Sequence, residues 1–352
     1  MRRIARLSSI LLCVGSFLSA CGLTVTAEAQ SGDGPDIVAQ IPYVTLRNET
    51  GDTSSADVYG DERSGLKAGW CGLGRINLPA SALEAFTETV PLISPEETLR
   101  VREIRKSRLD GVLASLDART TSRGPTVYTH GFNISFEKGC RRAAVLQDNA
   151  NLKERFLFFS WPSDGAIFNY TRDETDLYWS VIDLADLYHE MSVRYAPEKI
   201  NVMGHSLGGR GVALALYDLA SRYPNTRIND VVLLAPDMDF ENFAKILPRF
   251  RGIVNSITIY VTDDDAPLAV SEQLHGYPRL GQAGNEVGRL AGVEVIDLGD
   301  LSAGSVSGHL YHIYSAEVGR DLDQVLNGGL RAFERKGLIP VGNNLWRLEE
   351  DE

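Results

Sequence analysis

Ser206 is the residue whose surroundings best suit nucleophilic chemistry. It follows the apolar run at residues 200–203, which predicts a buried strand, and it precedes an alanine- and leucine-rich run that predicts a helix to Arg222. Gly204 and Gly208 stand two residues to either side and let the backbone turn sharply without steric clash. A serine on such a strained turn holds its hydroxyl clear of the sheet, so Ser206 is the candidate nucleophile.

A serine hydroxyl becomes a useful nucleophile only when a base accepts its proton and an acid holds that base in place. At the edge of a parallel sheet, the chain order after such a serine is the acid and then the histidine. Two histidines, His309 and His312, follow the last predicted strand at residues 293–296. The small residues 307 and 308 suit a loop that carries a base, so His309 is the expected base. His312 stays as the alternative, because its neighbours predict the start of a helix.

The orienting acid is sought among the aspartates that follow the predicted strand at residues 257–261. Three of them occupy residues 263–265, in a run that is also common in solvated turns. The run does not fit a calcium loop, because no glycine stands at the sixth position and Leu274 occupies the place of the bidentate glutamate. Asp237, one strand earlier, is the alternative acid.

Two backbone N–H groups are needed to face the negative charge that develops during acyl transfer. Leu207, which opens the predicted helix after Ser206, supplies the first. The second must come from the loop after an earlier strand, and His130-Gly131-Phe132 supplies it, because glycine lets the amide of Phe132 turn toward the serine. His130 itself is expected to be a structural, hydrogen-bonded residue.

The chain after residue 125 alternates apolar runs of strand length with runs of helix length, which is typical of a parallel sheet covered by helices. The predicted strands are residues 126–129, 155–159, 200–203, 231–235, 257–261 and 293–296, and the predicted helices are residues 136–149, 173–195, 206–222 and 240–247. The sequence therefore predicts an α/β fold with a mostly parallel central sheet flanked by helices and no large lid domain.

The part before this alternating region is less regular. Residues 43–46 and 74–78 alternate in the manner of edge strands, with a polar loop at residues 48–64 between them. Residues 94–97, Ser-Pro-Glu-Glu, carry serine, proline and glutamate at the positions typical of a helix start. They predict a helix that runs to about Ala118.

The chain has 352 residues, of which 43% are hydrophobic, and this is enough for one large α/β domain. Its formal net charge is −12 at pH 7. Because the binding of phosphate groups needs a basic surface, this charge argues against a nucleic-acid partner.

Residues 1–20 have the features of an export signal, with arginines near the start and an apolar run too short to span a bilayer. Residues 18–21, Leu-Ser-Ala-Cys, resemble the site at which bacterial lipoproteins are cleaved and lipidated on cysteine. Lipidated Cys21 would attach the protein to a membrane, and Gly22 after it indicates the outer membrane, with the domain facing the periplasm. Cleavage after Ala29 is the alternative and would give a periplasmic or secreted protein.

Residues 21–38 are small and polar without periodicity and predict a flexible tether, residues 39–345 the folded domain, and residues 346–352 an acidic tail. Cys71 and Cys140 could form a disulfide in an oxidising compartment or remain separate buried thiols. They lack histidine partners at zinc-binding spacing, so no zinc site is expected. A serine mechanism needs neither a metal nor an organic cofactor, so none is expected.

Several stretches of the sequence together form a recognisable combination of motifs. They are HGFNISFEKGCRRAA from residue 130, FSWPSDG from residue 159, GHSLGG from residue 204, LLAPDMD from residue 233, ITIYVTDDDAPLAVSEQLHGYPRLG from residue 257 and GHLYH from residue 308. Over about residues 66–325 the set resembles a bacterial α/β-hydrolase family of unknown function within the esterase/lipase superfamily. The resemblance implies the α/β-hydrolase fold and selects Asp265 as the acid, although Pro267 stands where that family has a small residue.

The motif and the resemblance together imply a serine hydrolase. Ser206 is expected to attack an acyl carbonyl, His309 to move the proton and Asp265 to orient the imidazole, with the oxyanion held by the amides of Leu207 and Phe132. Superfamily membership favours a small-molecule carboxylic ester as the substrate. A thioesterase or peptidase with the same triad stays open, as does a non-catalytic envelope lipoprotein that keeps the fold.

Overall fold

One large sheet organises the chain. The structure, a computed structural model, describes residues 36–76, 95–117, 123–153, 155–166, 168–195, 200–299, 301 and 308–350. The strands of the sheet are β1 (Ala39–Glu49), β2 (Tyr59–Arg75), β3 (Leu99–Ser107), β4 (Thr126–Thr129), β5 (Phe156–Ser160), β6 (Asn201–His205), β7 (Ile228–Leu234), β8 (Val254–Val261), β9 (Glu294–Asp297), β10 (Leu338–Pro340) and β11 (Leu345–Leu348). Their spatial order is β10-β11-β9-β8-β7-β6-β4-β5-β1-β2-β3.

The α-helices of the described residues are α1 (Leu109–Asp117), α2 (Phe136–Asn149), α3 (Tyr170–Arg194), α4 (Leu207–Arg222), α5 (Phe240–Phe250), α6 (Ala266–His275), α7 (Tyr311–Tyr314) and α8 (Ala316–Asp323). The helices α2 to α5 begin and end within a few residues of the predicted positions, whereas α6 and α8 are not among the predicted helices. The predicted bounds of β4 and α2 are those of the structure, and the other predicted strands of the parallel region differ by a few residues at their ends.

Strands β5, β4, β6, β7, β8 and β9 run parallel. They carry apolar side chains on both faces, as parallel sheets covered by helices do. Val127 belongs to a core shared with α1, α3, α4 and α5, and its neighbour Tyr128 belongs to a second core shared with α2 and α8. The mostly parallel sheet between two helical layers confirms the predicted α/β fold. Between Leu234 and Phe240 the chain passes directly from β7 to α5 and holds no lid.

Strands β1, β2 and β3 form an antiparallel extension, which joins the parallel strands where β1 pairs with β5. The predicted strand at residues 43–46 lies inside β1. The predicted polar loop at residues 48–64 is too long, because β2 already begins at Tyr59. Of the predicted strand at residues 74–78, Gly74 and Arg75 end β2, and residues 77–78 lie outside the described residues.

The helix predicted from residue 94 to Ala118 is wrong for most of its length. A single 3-10 turn at Pro95–Thr98 is followed by the strand β3, and α1 begins only at Leu109. Strand β3 pairs with β2, with Ile104 opposite Cys71. Its many charged side chains suit an edge strand, where charge discourages pairing with other chains. The pairing partner is distant in sequence, so the local helix signal dominated the prediction.

The two ends of the domain also differ from the predicted boundaries. Trp346, predicted to open a frayed tail, lies in β11, which pairs with both β9 and β10. The domain therefore continues past residue 345, because β9 would otherwise have an open edge. At the other end, the N–H of Val38 already donates to the carbonyl of Leu73 (2.8 Å), so the predicted tether ends earlier than residue 38.

Residues 1–35, which contain the predicted signal and Cys21, lie outside the described residues. Across the part of the chain that the structure does describe, no helix has the length and apolar character needed to cross a bilayer. The prediction of export and lipidation therefore stays a prediction.

A disulfide joins the antiparallel extension to the parallel region. Cys71 in β2 and Cys140 in α2 are both fully buried, and their Cα atoms lie 6.3 Å apart. Of the two alternatives left open by the sequence, the structure has the bonded pair. A cross-link that closes a loop of this length stabilises a fold by roughly 4 kcal/mol, mainly by restricting the unfolded chain.

Candidate active site

Ser206 lies on a sharp turn between β6 and α4. Its backbone has φ 54° and ψ −124°, a conformation that non-glycine residues adopt only when the surrounding structure enforces it. The N–H of Ser206 donates to the carbonyl of Leu234 (2.9 Å), and its own carbonyl accepts from Gly209 (2.9 Å) and Asp237 (3.0 Å). The strand β7 and the first turn of α4 therefore hold the strained serine in place.

The glycines around this turn permit the loop after β4 to lie directly against it. A side-chain carbon added to Gly131 would come within 3.0 Å of Cβ of Ser206, and one added to Gly208 would come within 2.2 Å of the carbonyl oxygen of His130. A side chain at residue 208 would collide with the backbone, and one at residue 131 would require the serine turn to shift by a few tenths of an ångström. The close approach brings the loop that carries Phe132 beside Ser206, as the sequence predicted.

Asp265 and His309 meet at the carboxyl edge of the sheet. One carboxylate oxygen of Asp265 accepts from the N–H of Leu268 (2.9 Å) and so caps α6, and the other lies 2.7 Å from Nδ1 of His309. Both side chains are buried. Because an ionised carboxylate only accepts hydrogen bonds, the neutral imidazole carries its proton on Nδ1 and leaves Nε2 as an acceptor.

Gly308 explains how the histidine loop lies so close to the acid turn. Its φ is +65°, and a side-chain carbon there would come within 1.5 Å of the carbonyl oxygen of Asp264. Any other residue would push His309 away from Asp265. The preceding residues 302–307 lie outside the described residues.

His205 connects His309 to the serine turn. Its Nε2 lies 3.0 Å from the carbonyl oxygen of His309, and the two ring centroids are 4.6 Å apart. The hydrogen bonds of the described residues include none between the Ser206 hydroxyl and the His309 ring. In resting sites this bond is often long and tightens when substrate binds.

Asp237, the alternative acid, is engaged elsewhere. Its carboxylate accepts from Arg279 (2.7 Å) and Ser271 (2.6 Å), and Arg210 lies 3.5 Å away. Burial alone would raise the pKa of Asp237, but the two guanidinium groups and the hydrogen bonds from Ser271 and Tyr170 outweigh it and hold the pKa below its usual value. Asp237 therefore forms a buried ion cluster and does not contact His309.

His312, the alternative base, lies behind His205. Their ring centroids are 4.2 Å apart, and His312 is fully buried. Neither ring nitrogen of His312 has a hydrogen-bond partner among the described residues. Burial, with nearby Arg142 and His309, lowers the pKa of His312 well below its usual value, so the ring stays neutral.

Comparison with known proteins identifies the family of this chain. A model of the family described as "Alpha/beta hydrolase of unknown function (DUF900)" matches residues 114–327. The chain belongs to this α/β-hydrolase family. The expected resemblance is thereby confirmed, and the mostly parallel sheet is the α/β-hydrolase fold.

The individual proteins that resemble this chain share little sequence identity with it. An uncharacterized protein of Nostoc sp. is 26% identical over 130 residues, which are 30% of this chain and only 34% of the Nostoc protein. An esterase of Pyrobaculum calidifontis is 14% identical with a TM-score of 0.35, and the match covers 60% of this chain and 77% of the esterase. The lin2722 gene product of Listeria innocua is 13% identical with a TM-score of 0.38, and the match covers 65% and 99% of the two chains.

His130 of this hydrolase has the structural role that the sequence predicted. Its ring nitrogens lie 2.8 Å from the carbonyl of Gly131 and 3.2 Å from that of Trp161, and burial lowers its pKa to about 3. The indole of Trp161 donates to the carbonyl of His130 (2.8 Å). Trp161 is fully buried and packs, whereas Tyr170 is half-buried and contacts the ring of Phe132 edge-to-face at 5.1 Å.

Two buried charged residues hold the loop that carries Phe132: Arg47, which sequence reasoning missed, and Asp173, which belongs to the motifs of the family resemblance. Arg47 donates to the carbonyls of Ile134 (2.6 Å) and Ser163 (2.7 Å), and burial lowers its pKa to about 10. Asp173 accepts from the N–H of Asn133 (3.3 Å) and from the hydroxyl of Ser163. Asp173 had a signal, since it follows the FSWPSDG stretch, but nothing in the local sequence marked Arg47.

No group of three or more His, Cys, Asp or Glu side chains in the described ranges is arranged to hold a metal ion. The side chains that the structure places at this edge of the sheet include a serine on a strained turn and a histidine paired with a buried carboxylate.

Proposed function

We propose that this α/β hydrolase cleaves a carboxylic ester through Ser206, His309 and Asp265. One observation carries the proposal: the serine on the strained turn after β6 lies at the same sheet edge as a histidine whose Nδ1 is 2.7 Å from a buried carboxylate. This is the arrangement that nucleophilic acyl transfer requires. Family membership supports hydrolysis as the reaction class.

In the first half of the reaction, the hydroxyl oxygen of Ser206 attacks the ester carbonyl while Nε2 of His309 accepts its proton. The imidazolium that forms is stabilised by Asp265, which also keeps the ring in the required tautomer. The backbone N–H groups of Leu207 and Phe132 stabilise the oxyanion, because Leu207 follows Ser206 directly and the loop that carries Phe132 lies against the serine turn. The imidazolium then protonates the leaving alcohol, and an acyl-enzyme remains.

In the second half, Nε2 of His309 takes a proton from water, and the resulting hydroxide attacks the acyl carbonyl. A second tetrahedral intermediate collapses, the proton returns to the Ser206 oxygen, and the carboxylic acid leaves. Atoms and charge balance with water as the co-substrate, so the proposed reaction requires neither a metal nor an organic cofactor.

Hydrolysis of p-nitrophenyl esters of increasing acyl length tests the proposal directly. We expect turnover by the purified protein and a drop in kcat on the order of 10³ to 10⁶ in Ser206→Ala. Ser54→Ala, at an exposed loop serine, is the control and should retain full activity. A fluorophosphonate should label the wild type and not Ser206→Ala. A drop of less than tenfold would remove Ser206 as the nucleophile.

A matched pair of substrates separates an esterase from a thioesterase. The oxygen ester and the thioester of the same acyl group are compared by kcat/KM under one condition. We expect the oxygen ester to be preferred relative to its uncatalysed rate of hydrolysis. Preference for the thioester would redirect the proposal to the thioesterase alternative with the same triad.

We further propose that the protein is exported and held at the outer membrane through a lipid on Cys21, with the domain in the periplasm. The disulfide between Cys71 and Cys140 supports export, because disulfides persist in oxidising compartments and are rare in the cytosol. Two acyl chains or a comparable pair of signals suffice for stable anchoring.

Fractionation of the cell envelope tests this location. We expect Cys21→Ser to move the protein from the membrane fraction to the soluble envelope fraction. Ala29→Leu, which blocks the alternative cleavage site, should leave the protein at the membrane. The opposite pattern would favour cleavage after Ala29 and a periplasmic or secreted protein.

A further inference from the structure

His205 lies between the two loops that complete the active site. On one side, a side-chain carbon added to Gly131 would come within 3.1 Å of Nδ1 of His205, so the ring lies against the loop that carries Phe132. On the other side, Nε2 of His205 lies 3.0 Å from the carbonyl oxygen of His309. One imidazole therefore contacts both the oxyanion loop and the histidine loop.

The direction of the hydrogen bond to His309 follows from its chemistry. A carbonyl oxygen only accepts, so Nε2 of His205 carries the proton and donates it. The acceptor is the backbone of His309 itself, and the bond therefore fixes the chain at the residue whose ring moves protons. Three described contacts hold the chain at this point: the His205 bond, the Asp265 bond and the contact of Gly308 with Asp264.

His205 stays neutral in its buried position. It is 3% exposed, and burial, together with the neighbouring His312 and His309 rings, lowers its pKa well below the usual value. Its proton therefore stays on Nε2 through the neutral pH range. It also adds no second positive charge beside His309 when that ring accepts the serine proton.

We propose that His205 is a positioning residue, which fixes the backbone of His309 relative to Ser206 by donating from Nε2 to the His309 carbonyl while its ring supports Gly131. The inference rests on the proposed function, because it assigns His205 a role through the base of the proposed triad. His205 is not itself a proton carrier, since its ring faces a carbonyl and glycine backbone. Misplacement of a catalytic group by about 1 Å can reduce a rate by on the order of 10²-fold.

Two substitutions distinguish the effect of the hydrogen bond from the effect of the volume of the ring. His205→Gln keeps an N–H donor at about the reach of Nε2, and His205→Met fills similar volume without a donor. We expect His205→Met to lower kcat by about 10²-fold with little change in KM, and His205→Gln to restore kcat to within about tenfold of the wild type. His189→Met is the matched control, because His189 stacks on Tyr223 in a part-buried site and should leave kcat unchanged.

A spectroscopic readout keeps this test independent of the proposed ester hydrolysis. In protein labelled with ¹⁵N-histidine, the Nδ1 proton of His309 in its bond to Asp265 should give a low-field resonance in the wild type and in His205→Gln. We expect His205→Met to shift or broaden it. If the wild type hydrolyses no ester, the proposed function fails, and this resonance alone decides the role of His205.

The role is overturned if folded His205→Met keeps both the resonance and a kcat within about threefold of the wild type. It is also overturned if His205→Gln and His205→Met lose activity equally, because the donor would then contribute nothing. Should His205→Met fail to fold, His205→Asn replaces it, because its shorter side chain does not reach the His309 carbonyl. The thermal unfolding temperature of every variant is also measured. It shows whether a loss of activity comes from a misplaced His309 or from an unfolded protein.

Discussion

Asp237 and Asp265 are two buried carboxylates at the carboxyl ends of neighbouring strands, β7 and β8, and they have opposite surroundings. Asp237 accepts from Arg279 and Ser271 and lies near Arg210, so every side of its carboxylate faces a donor. Within the described ranges, Asp265 accepts from the N–H of Leu268 and from Nδ1 of His309. Asp237 thus faces two guanidinium groups and two hydroxyl groups, whereas Asp265 faces a backbone amide and an imidazole.

The difference shows what qualifies a buried aspartate to orient a base. A carboxylate neutralised by two guanidinium groups is locked into the architecture and has little negative potential left for an imidazolium. A carboxylate that caps a helix with one oxygen and holds a histidine with the other is rigid, yet its charge acts on one ring. Local environment, and not strand position, separates the two.

Asp265→Asn should have the largest effect. The amide keeps the volume and one acceptor but can donate to Nδ1 of His309, so the ring is held in the wrong tautomer and cannot accept the serine proton. We expect kcat for ester hydrolysis to fall by about 10⁴-fold while thermal unfolding changes little. A kcat within tenfold of the wild type would remove Asp265 from the triad.

Asp237→Asn should instead destabilise the fold. The change removes the carboxylate partner of buried Arg279, while Arg210 keeps its ion pair with Glu174, and loss of one partner of a buried ion pair costs about 3–5 kcal/mol. We expect this loss in the free energy of unfolding, measured with urea. Activity at low temperature, where the variant is folded, should stay within about tenfold of the wild type. Equal stability with lost turnover would reverse the roles of the two aspartates.

The free energy of unfolding at acidic pH gives a finer test of the role of Asp237. Because its pKa in the folded protein lies below that of the unfolded chain, its contribution is fully present above about pH 5 and is lost as the pH falls through the folded pKa. Between about pH 5 and pH 3, the wild type should therefore lose more unfolding free energy than Asp237→Asn. Parallel profiles for the two proteins would contradict this assignment.

Asp263→Asn and Asp264→Asn should have the smallest effects. Both side chains are exposed, whereas Asp265 in the same run is 4% exposed. We expect changes of about 0.5 kcal/mol or less in stability and unchanged kcat, because surface substitutions away from special features are nearly neutral. A large loss of activity in either variant would show that the triple aspartate acts as a unit.

The parallel region could be predicted from sequence because its signals are local. The apolar run of β4 and the periodicity of α2 fixed their bounds, and the glycines around Ser206 marked the turn. The fixed order of serine, acid and histidine then limited the candidates to few residues. The place of the aspartate run after its strand favours it over Asp237, and the resemblance selects Asp265 within the run. The two arginines that contact Asp237 are distant along the chain, so no local signal indicates its ion cluster.

Local sequence patterns do not predict features whose partners lie far apart along the chain. The local sequence of β3 predicts a helix, whereas its partner β2 supplies the hydrogen bonds that decide its conformation. Trp346 was assigned to a frayed tail because the open edge of β9 is visible only in the sheet. The contact of His205 with the His309 carbonyl joins residues 104 positions apart, and no spacing rule indicates it.

Arg47 limits how far the chain can be shortened without loss of contacts beside the candidate active site. It lies outside residues 114–327, the stretch that matches the family model, yet it holds the carbonyls of Ile134 and Ser163 beside the candidate active site. A fragment trimmed to the matched stretch would lose these donors and uncover the edge of β5 that β1 occupies. The unit of homology in this chain is therefore smaller than its unit of folding.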